Sequence, residues 1–297
     1  MFTYGNQYNY KEAKKWTLKL YAKRDQMPPI MKNLVNFTYA AYFETPYDEI
    51  KYIRQYLEID DQSAAWHWQI GNAYQELYLY DKAIPEFEKT LEIYNKWGSK
   101  PMWVYAYTAL GYAYYKTGKL NKEKELYKKA EHDFPDDPDL IFRQAVLSLT
   151  EKDTIAANRY IQNYISIRKE NSVPEADITT ELAWIYSEAG LLDLAEKFFR
   201  KALSTEPDKA YRLNNLAWFL IDKDRNPGEG IELNNKALKL NPDDYNFIHT
   251  KGWGLFKEGK YKEALGLFLK ADSLKPIYDH DLYLHLEASK KAVVGLK

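Results

Sequence analysis

Apolar residues recur along this chain at steps of three and four. The run Leu194, Ala195, Phe198, Phe199, Ala202 and Leu203 is one example, and it places six side chains on one face of a helix. Near the start, Ala13, Trp16 and Leu20 form a similar stripe, which predicts a helix over Tyr10–Arg24 packed on a second one over Ile30–Phe43. The alternation of β-branched residues that marks a strand is nowhere sustained, so no sheet is predicted. About sixteen helices are expected, ending with one over residues 279–294.

The helices repeat in pairs. Five segments align on a small residue in the first helix of each: WQIGNAYQELYLYDKAIPEFEKTL, TALGYAYYKTGKLNKEKELYKKA, TELAWIYSEAGLLDLAEKFFRKAL, NNLAWFLIDKDRNPGEGIELNNKAL and HTKGWGLFKEGKYKEALGLFLKA. The aligned anchors are Gly71, Gly111, Ala183, Ala217 and Gly252. Ala83, Ala195 and Ala264 lie twelve residues after their anchors, and Ala130, Ala202 and Ala271 lie nineteen after. The fourth segment has one extra residue, which makes Ala237 its equivalent. Pro135, Pro207, Pro242 and Pro276 follow the second helices and stop them. Gly118, Gly190 and Gly259 fall at the turns within pairs, where a left-handed backbone costs glycine least. Asp137, Asp208 and Asp243 are the expected N-caps of the following helices. The anchor spacings are 40, 72, 34 and 35 residues. The double interval holds a degenerate unit at Pro138–Lys169 with Ala145 at the anchor. Another weak unit covers Ile30–Asp61, and Ile93–Met102 lengthens the 40-residue interval.

This pattern resembles the tetratricopeptide repeat, a helix pair with small residues where the helices cross and proline after the second helix. The resemblance covers nearly the whole chain and is specific over about two-thirds of it. It implies an all-α, right-handed α-α superhelix: a single solenoid over residues 1–297 with about seven helix-pair repeats, the first one incomplete. The helix at 279–294, with Lys290 and Lys291 on its outer face, is its expected solubilising cap.

Composition narrows the function. The 42 basic and 43 acidic side chains leave a net charge of -1, which argues against a nucleic-acid partner. The charge is uneven: residues 1–33 hold seven Lys/Arg against Glu12 and Asp25, and residues 40–92 hold eleven acids against four bases. There is no cysteine, and hence no disulfide or thiol chemistry. The N-terminus lacks the apolar core of a signal peptide, and the most apolar run, Val104–Tyr115, is too short to span a bilayer. The expectation is a cytoplasmic chain that does not insert into a membrane. The Lys-, Asn- and Tyr-rich composition hints at a bacterial source.

Motifs that mimic catalytic ones fail on context. Gly254 to Lys260 spells most of a phosphate-binding loop, but Tyr261 follows and no strand precedes. Asp133, Asp136, Asp137 and Asp139 lack the glycine and distal Glu of a calcium loop, and helix capping explains them. The five histidines include no pair at metal-binding spacing, so neither metal, cofactor nor catalytic residue is expected, and the chain reads as a non-enzyme.

The informative constellation is aromatic. In tetratricopeptide proteins the first helices line a concave groove. If this chain is similar, the residues after the anchors face it: Asn72, Tyr112, Val146, Trp184, Trp218 and Trp253. One turn earlier lie Trp68, Thr108, Phe142, Thr180, Asn214 and His249, with Tyr211 and Phe256 beside the tryptophans. Large rings of this kind either grip a ligand or pack between successive first helices, and the pattern alone leaves both open. The basic clamp that holds C-terminal carboxylates in some relatives of the family is missing: Trp68 and Ala109 occupy its positions, and only Arg143 fits. The expected groove residues are therefore Trp68, Asn72, Tyr112, Phe142, Trp184, Tyr211, Asn214, Trp218, His249, Trp253 and Phe256. The expected partner is a protein or an extended peptide, with Asn72, Gln75, Asn214 and Asn215 bonding to its backbone. A second reading is a regulatory or sensory module cut from a larger bacterial signalling protein, because the partner helix of Tyr10–Arg24 is short or missing.

Overall fold

The computed structural model describes residues 9–295, and among these are sixteen α-helices and no strand. Residues 9–143, with Pro276–Tyr278, form one compact unit. It contains α1 (Tyr10–Tyr21), α2 (Pro29–Phe43), α3 (Pro46–Leu57), α4 (Ala64–Glu76), α5 (Tyr80–Lys96), α6 (Tyr105–Lys116), α7 (Leu120–Asp133) and the start of α8 (Pro138–Thr150). The second unit holds the rest of α8, then α9 (Thr154–Glu170), α10 (Glu175–Glu188), α11 (Leu192–Thr205), α12 (Ala210–Asp222), α13 (Pro227–Leu240), α14 (Tyr245–Lys257), α15 (Tyr261–Leu274) and α16 (His280–Gly295).

Within each unit, consecutive helices pack as pairs: α4 on α5 in the first, and α10 on α11, α12 on α13 and α14 on α15 in the second. First helices of successive pairs also touch, α4 with α6 and α12 with α14. The pairs interlock through one contact. Sixteen residues after the anchor, the second helix projects a ring onto the first: Phe87 over Gly71, Tyr127 over Gly111, Phe268 over Gly252 and Phe199 in the cluster with Ala183. All four rings are buried. A Cβ on Gly111 would lie 2.3 Å from the Tyr127 ring, and one on Gly71 would lie 2.5 Å from Phe87. Only a small anchor lets the ring settle at native packing density.

The pair α12–α13 solves the same problem with different residues. Asn234 takes the ring's place and is fully buried, donating to Asn214 Oδ1 at 2.8 Å and to the Phe247 carbonyl at 3.0 Å. The close approach moves to Gly230, where a Cβ would meet Ile221 at 2.7 Å and the Ala217 carbonyl at 2.9 Å.

The turns are equally regular. Seven residues after each anchor the backbone is left-handed: Tyr78, Gly118, Lys152, Gly190, Asp224 and Gly259 all have φ between 51° and 78°. The position thus demands a backbone conformation, and glycine fills it in only half of these turns.

Two local expectations shift. The turn between pairs uses Pro and the following Asp, so the cap is the next residue. Asp137 and Asp244 accept helix N–H groups, Lys209 stands at the third site, and Asp208 and Asp243 are turn residues. On α1 the buried stripe is Ala13 and Thr17, whose hydroxyl bonds to the Ala13 carbonyl at 2.8 Å. Trp16 is exposed, with the Lys19 ammonium 4.4 Å from its ring centre, so α1 meets α2 along a narrower face than Ala13, Trp16 and Leu20 suggested. The first residues, on which the incomplete first pair was read, lie outside the described residues.

One substitution therefore has opposite signs at two glycines. Gly111→Ala forces Tyr127 out of its seat and is expected to destabilise by about 1–3 kcal/mol, the range for overpacking a core. Gly266→Ala lies inside α15 with nothing within 4 Å of its new methyl, and is expected to stabilise by about 0.5–1 kcal/mol. Denaturant unfolding of both variants checks the pair.

Candidate functional site

A cleft of about 820 Å³ in the second unit opens along α10, α12, α14 and the start of α16. Trp184, Tyr211, Asn214, Trp218 and His249, all expected in the groove, line it. The rings are half in the core and half in the cleft. Trp184 packs edge-on against Phe199, with centroids 4.7 Å apart, and Trp218 leans on His249 at 5.3 Å. Tyr211 is the most exposed of them, with the Arg212 guanidinium 4.6 Å from its ring centre. Asn215, Asn241 and Asn246 add amides to the wall, and Asp208, Asp244, Asp279 and Asp281 add carboxylates. The Arg212 charge is balanced beneath the cleft wall. Its side chain is buried and spent on Asp177 at 2.6 Å, Glu206 at 2.9 Å and the Thr180 hydroxyl at 2.7 Å.

Trp253 and Phe256 do not join this wall. The His285 ring of α16 lies flat on Trp253, 3.8 Å away and 7° from parallel, and Phe256 stacks on Trp253 at 5.3 Å. The terminal helix covers the third tryptophan of the register, so this ring packs between helices. The indole Nε1 is buried there without an acceptor. Beside it, His249 Nε2 and His285 Nδ1 are 2.8 Å apart, which ties α14 to α16. Val146 and Thr180, two further positions of the expected groove register, are buried.

In the first unit, a cleft of about 450 Å³ gathers Trp68, Asn72, Tyr112 and Phe142 together with Gln75 and Arg143. The Trp68 Nε1 donates to the Tyr105 carbonyl at 3.4 Å, and the Arg143 guanidinium lies 4.4 Å from the Tyr112 ring centre. A neighbouring apolar pocket of about 390 Å³ was not anticipated. Trp68, Tyr94, Pro101, Met102, Trp103 and Tyr105 line it, and Met102, Trp103 and Tyr105 are each more than half exposed. The available signal was the long anchor interval: the extra residues after α5 carry Trp97, Met102 and Trp103.

Among the described residues, no group of three His, Asp or Glu side chains could hold a metal ion, and no helix is long and apolar enough to cross a membrane. The Asp cluster after α7 caps and braces: Asp137 Oδ1 accepts from Asp139 N and Leu140 N, and Asp133 accepts from the Tyr107 hydroxyl at 2.7 Å.

Paired helices interlocked at a small anchor, stacked within each unit and opening a cleft along their first helices, define a helical-repeat protein. Residues 104–131 and 176–209, the pairs α6–α7 and α10–α11, match the tetratricopeptide repeat family model. The TPR repeat-containing protein PA4667 of Pseudomonas aeruginosa is 40% identical over 96 residues, 32% of this chain and 16% of that protein. A chain of the APC/C hetero-tetramer Cut9–Hcn1 has the same fold with a TM-score of 0.51 at 18% identity, over 82% of this chain and 46% of that one. A tetratricopeptide repeat protein from Parabacteroides merdae, 13% identical, aligns over 95% of this chain and 98% of its own with a TM-score of 0.48. The chain spans less than half the length of the first two. Over those two segments the chain carries tetratricopeptide repeats, and its fold is all-α, of the helical-repeat class.

The histidine pair makes the terminal helix acid-sensitive. Burial, reinforced by His285, pushes His249 down to about 3. Burial also lowers His285, against the pull of Asp281, Asp222 and Asp279. Unfolded histidines protonate near pH 6.5, so the stability held by the neutral pair is complete above that pH. It is lost as pH falls below 6.5, by roughly 1.4 kcal/mol per pH unit for each proton only the unfolded chain binds. Glu49 slopes the other way. Burial and the nearby Glu76 and Asp48 raise it to about 8, so its contribution grows as pH falls from 8 toward 4.5. The difference between two variants isolates the pair: melting temperatures from pH 7 to pH 5 should fall less steeply for His285→Leu than for the parent, and parallel profiles would remove the histidines from the account.

Proposed function

We propose that this chain is a protein-interaction scaffold that holds an extended peptide segment of its partner along the first helices of its repeats. Tetratricopeptide folds generally serve as such scaffolds. The observation carrying the reading here is the cleft of the second unit, in which Trp184, Tyr211 and Trp218 stand beside the amides of Asn214, Asn215, Asn241 and Asn246. Aromatic rings offer large contact area with little rotamer entropy to lose. An asparagine amide can donate to a peptide carbonyl and accept from a peptide N–H at once, which suits an extended backbone with unpaired groups. Asn214 is already oriented, because its oxygen accepts from the buried Asn234. The cleft of the first unit combines Trp68 and Tyr112 with Asn72 and Gln75 in the same manner and provides a second place to hold chain.

The experiment is selection of random peptides of about 12 residues, displayed on phage, against the intact chain, followed by affinity measurement on cleft variants. Tyr211→Ala and Asn215→Ala remove partly exposed groups, so both variants should fold with stability within about 0.5 kcal/mol of the parent. Each is expected to weaken the selected peptides about tenfold or more, the loss of a central interface contact. Equal binding by parent and variants would place peptide recognition elsewhere on the chain.

A further inference from the structure

The proposed peptide site of the second unit carries a charge that specifies its occupant. Asp208, Asp244, Asp279 and Asp281 line the cleft, and Lys209 is the one Lys or Arg among the described residues of its walls. None of the four carboxylates has an ion-pair partner among the described residues. Elsewhere in this unit arginines are matched to acids. Arg200 binds Glu196 and Glu229, Arg225 binds Asp193 and Glu196, Arg168 binds Glu181, and Lys257 binds Asp224.

Two of the four also have a local duty. Asp244 accepts the N–H groups of Asn246 and Phe247, and Asp279 accepts that of Leu282. Capping accounts for their presence but does not cancel the charge. The helix starts at α12, α14 and α16 each contribute about half a positive charge. Those three half-charges and Lys209 leave an excess of between one and two negative charges facing the cleft. Asp208 and Asp281 serve neither as caps nor in ion pairs. The cleft is also walled by Trp184, Tyr211 and Trp218, whose π faces attract cations.

Resting on the scaffold reading, we infer that the second unit's cleft is built for a basic peptide, an extended segment whose Lys or Arg side chains lie against the tryptophan and tyrosine rings with their charged ends at Asp208 and Asp281. An acidic segment would be repelled by the same carboxylates. This sets the sign opposite to the basic clamp that binds C-terminal carboxylates.

The test uses three fluorescein-labelled peptide pools of about 12 residues with equal aromatic and aliphatic content, differing only in net charge: positive, neutral or negative. Fluorescence anisotropy on the intact chain should show the positive pool binding at least about tenfold more tightly than the neutral one, and the advantage should shrink between about 0.05 and 0.5 M salt. Asp208→Asn combined with Asp281→Asn should erase the preference for positive charge. Asp243→Asn, at a turn residue outside the cleft, should leave it intact. If neutral and positive pools bind equally and Tyr211→Ala weakens both, the charge assignment is overturned while the scaffold reading stands. If Tyr211→Ala affects no pool, both fall. Peptide-independent self-association, read by sedimentation and abolished by the double Asn variant, would make a second copy the occupant and overturn the free-peptide proposal.

Discussion

Each helix pair depends on one steric constraint: a residue without a bulky side chain opposite a large ring. Gly71 under Phe87, Gly111 under Tyr127 and Gly252 under Phe268 fix the distance at which the two helices cross, and Ala183 and Phe199 occupy the same two positions in one buried cluster. Once that distance is set, the rest of the geometry follows from helix periodicity. The residue seven positions on must reverse the chain with a left-handed backbone, and the residue immediately after the anchor is turned about 100° around the first helix from it. The cleft is a consequence of the crossing. Trp184 and Trp218 reach it because Ala183 and Ala217 are committed to the core.

The repeat was legible because this constraint is written in residue size. Glycine and alanine recur at fixed distances, and the helices, the turns within pairs and the place of the terminal helix follow from them. Parts of the candidate site were legible for the same reason, since register alone brings Trp68, Asn72 and Tyr112 to one cleft and Trp184, Asn214 and Trp218 to another. Register cannot say what comes after the last repeat. Trp253 occupies the same position as Trp184 and Trp218, but the terminal helix lays His285 over it, and the ring that was expected to meet a ligand meets the protein's own side chain. Asp208 and Asp243 were misread as caps because the turn after proline needs two residues where one was assumed. The exposed aromatic loop after α5 was missed because it lies outside the repeat, where periodicity carries no information.

Exceptions to the steric rule coincide with polar chemistry. Where the ring is replaced by Asn234, the fold gains a buried amide that holds Asn214, a cleft residue, in place. The Asn234 nitrogen makes both of its bonds while its Oδ1 is buried without a partner, so this substitution gives up apolar packing and one satisfied acceptor for orientation of a side chain at the candidate site. The same pair brings Gly230 against the Ala217 carbonyl, which restores the close crossing by other means. In the second unit, then, the helix pair that departs most from the common packing is also the one that contributes most side chains to the cleft.

The central claim is that small anchor and large ring act as one unit. A double-mutant cycle on Gly71 and Phe87 tests it most directly, with free energies of unfolding measured for the parent, Gly71→Ala, Phe87→Leu and the combination. Gly71→Ala alone should be costly because its methyl would sit 2.5 Å from the ring, and in the Phe87→Leu background the smaller side chain should accept it. The account predicts a coupling of about 0.5–3 kcal/mol, with the double variant more stable than the sum of the two changes. Additivity within about 0.3 kcal/mol would mean that anchor and ring act independently, and that something other than their shared contact sets the spacing of the helices.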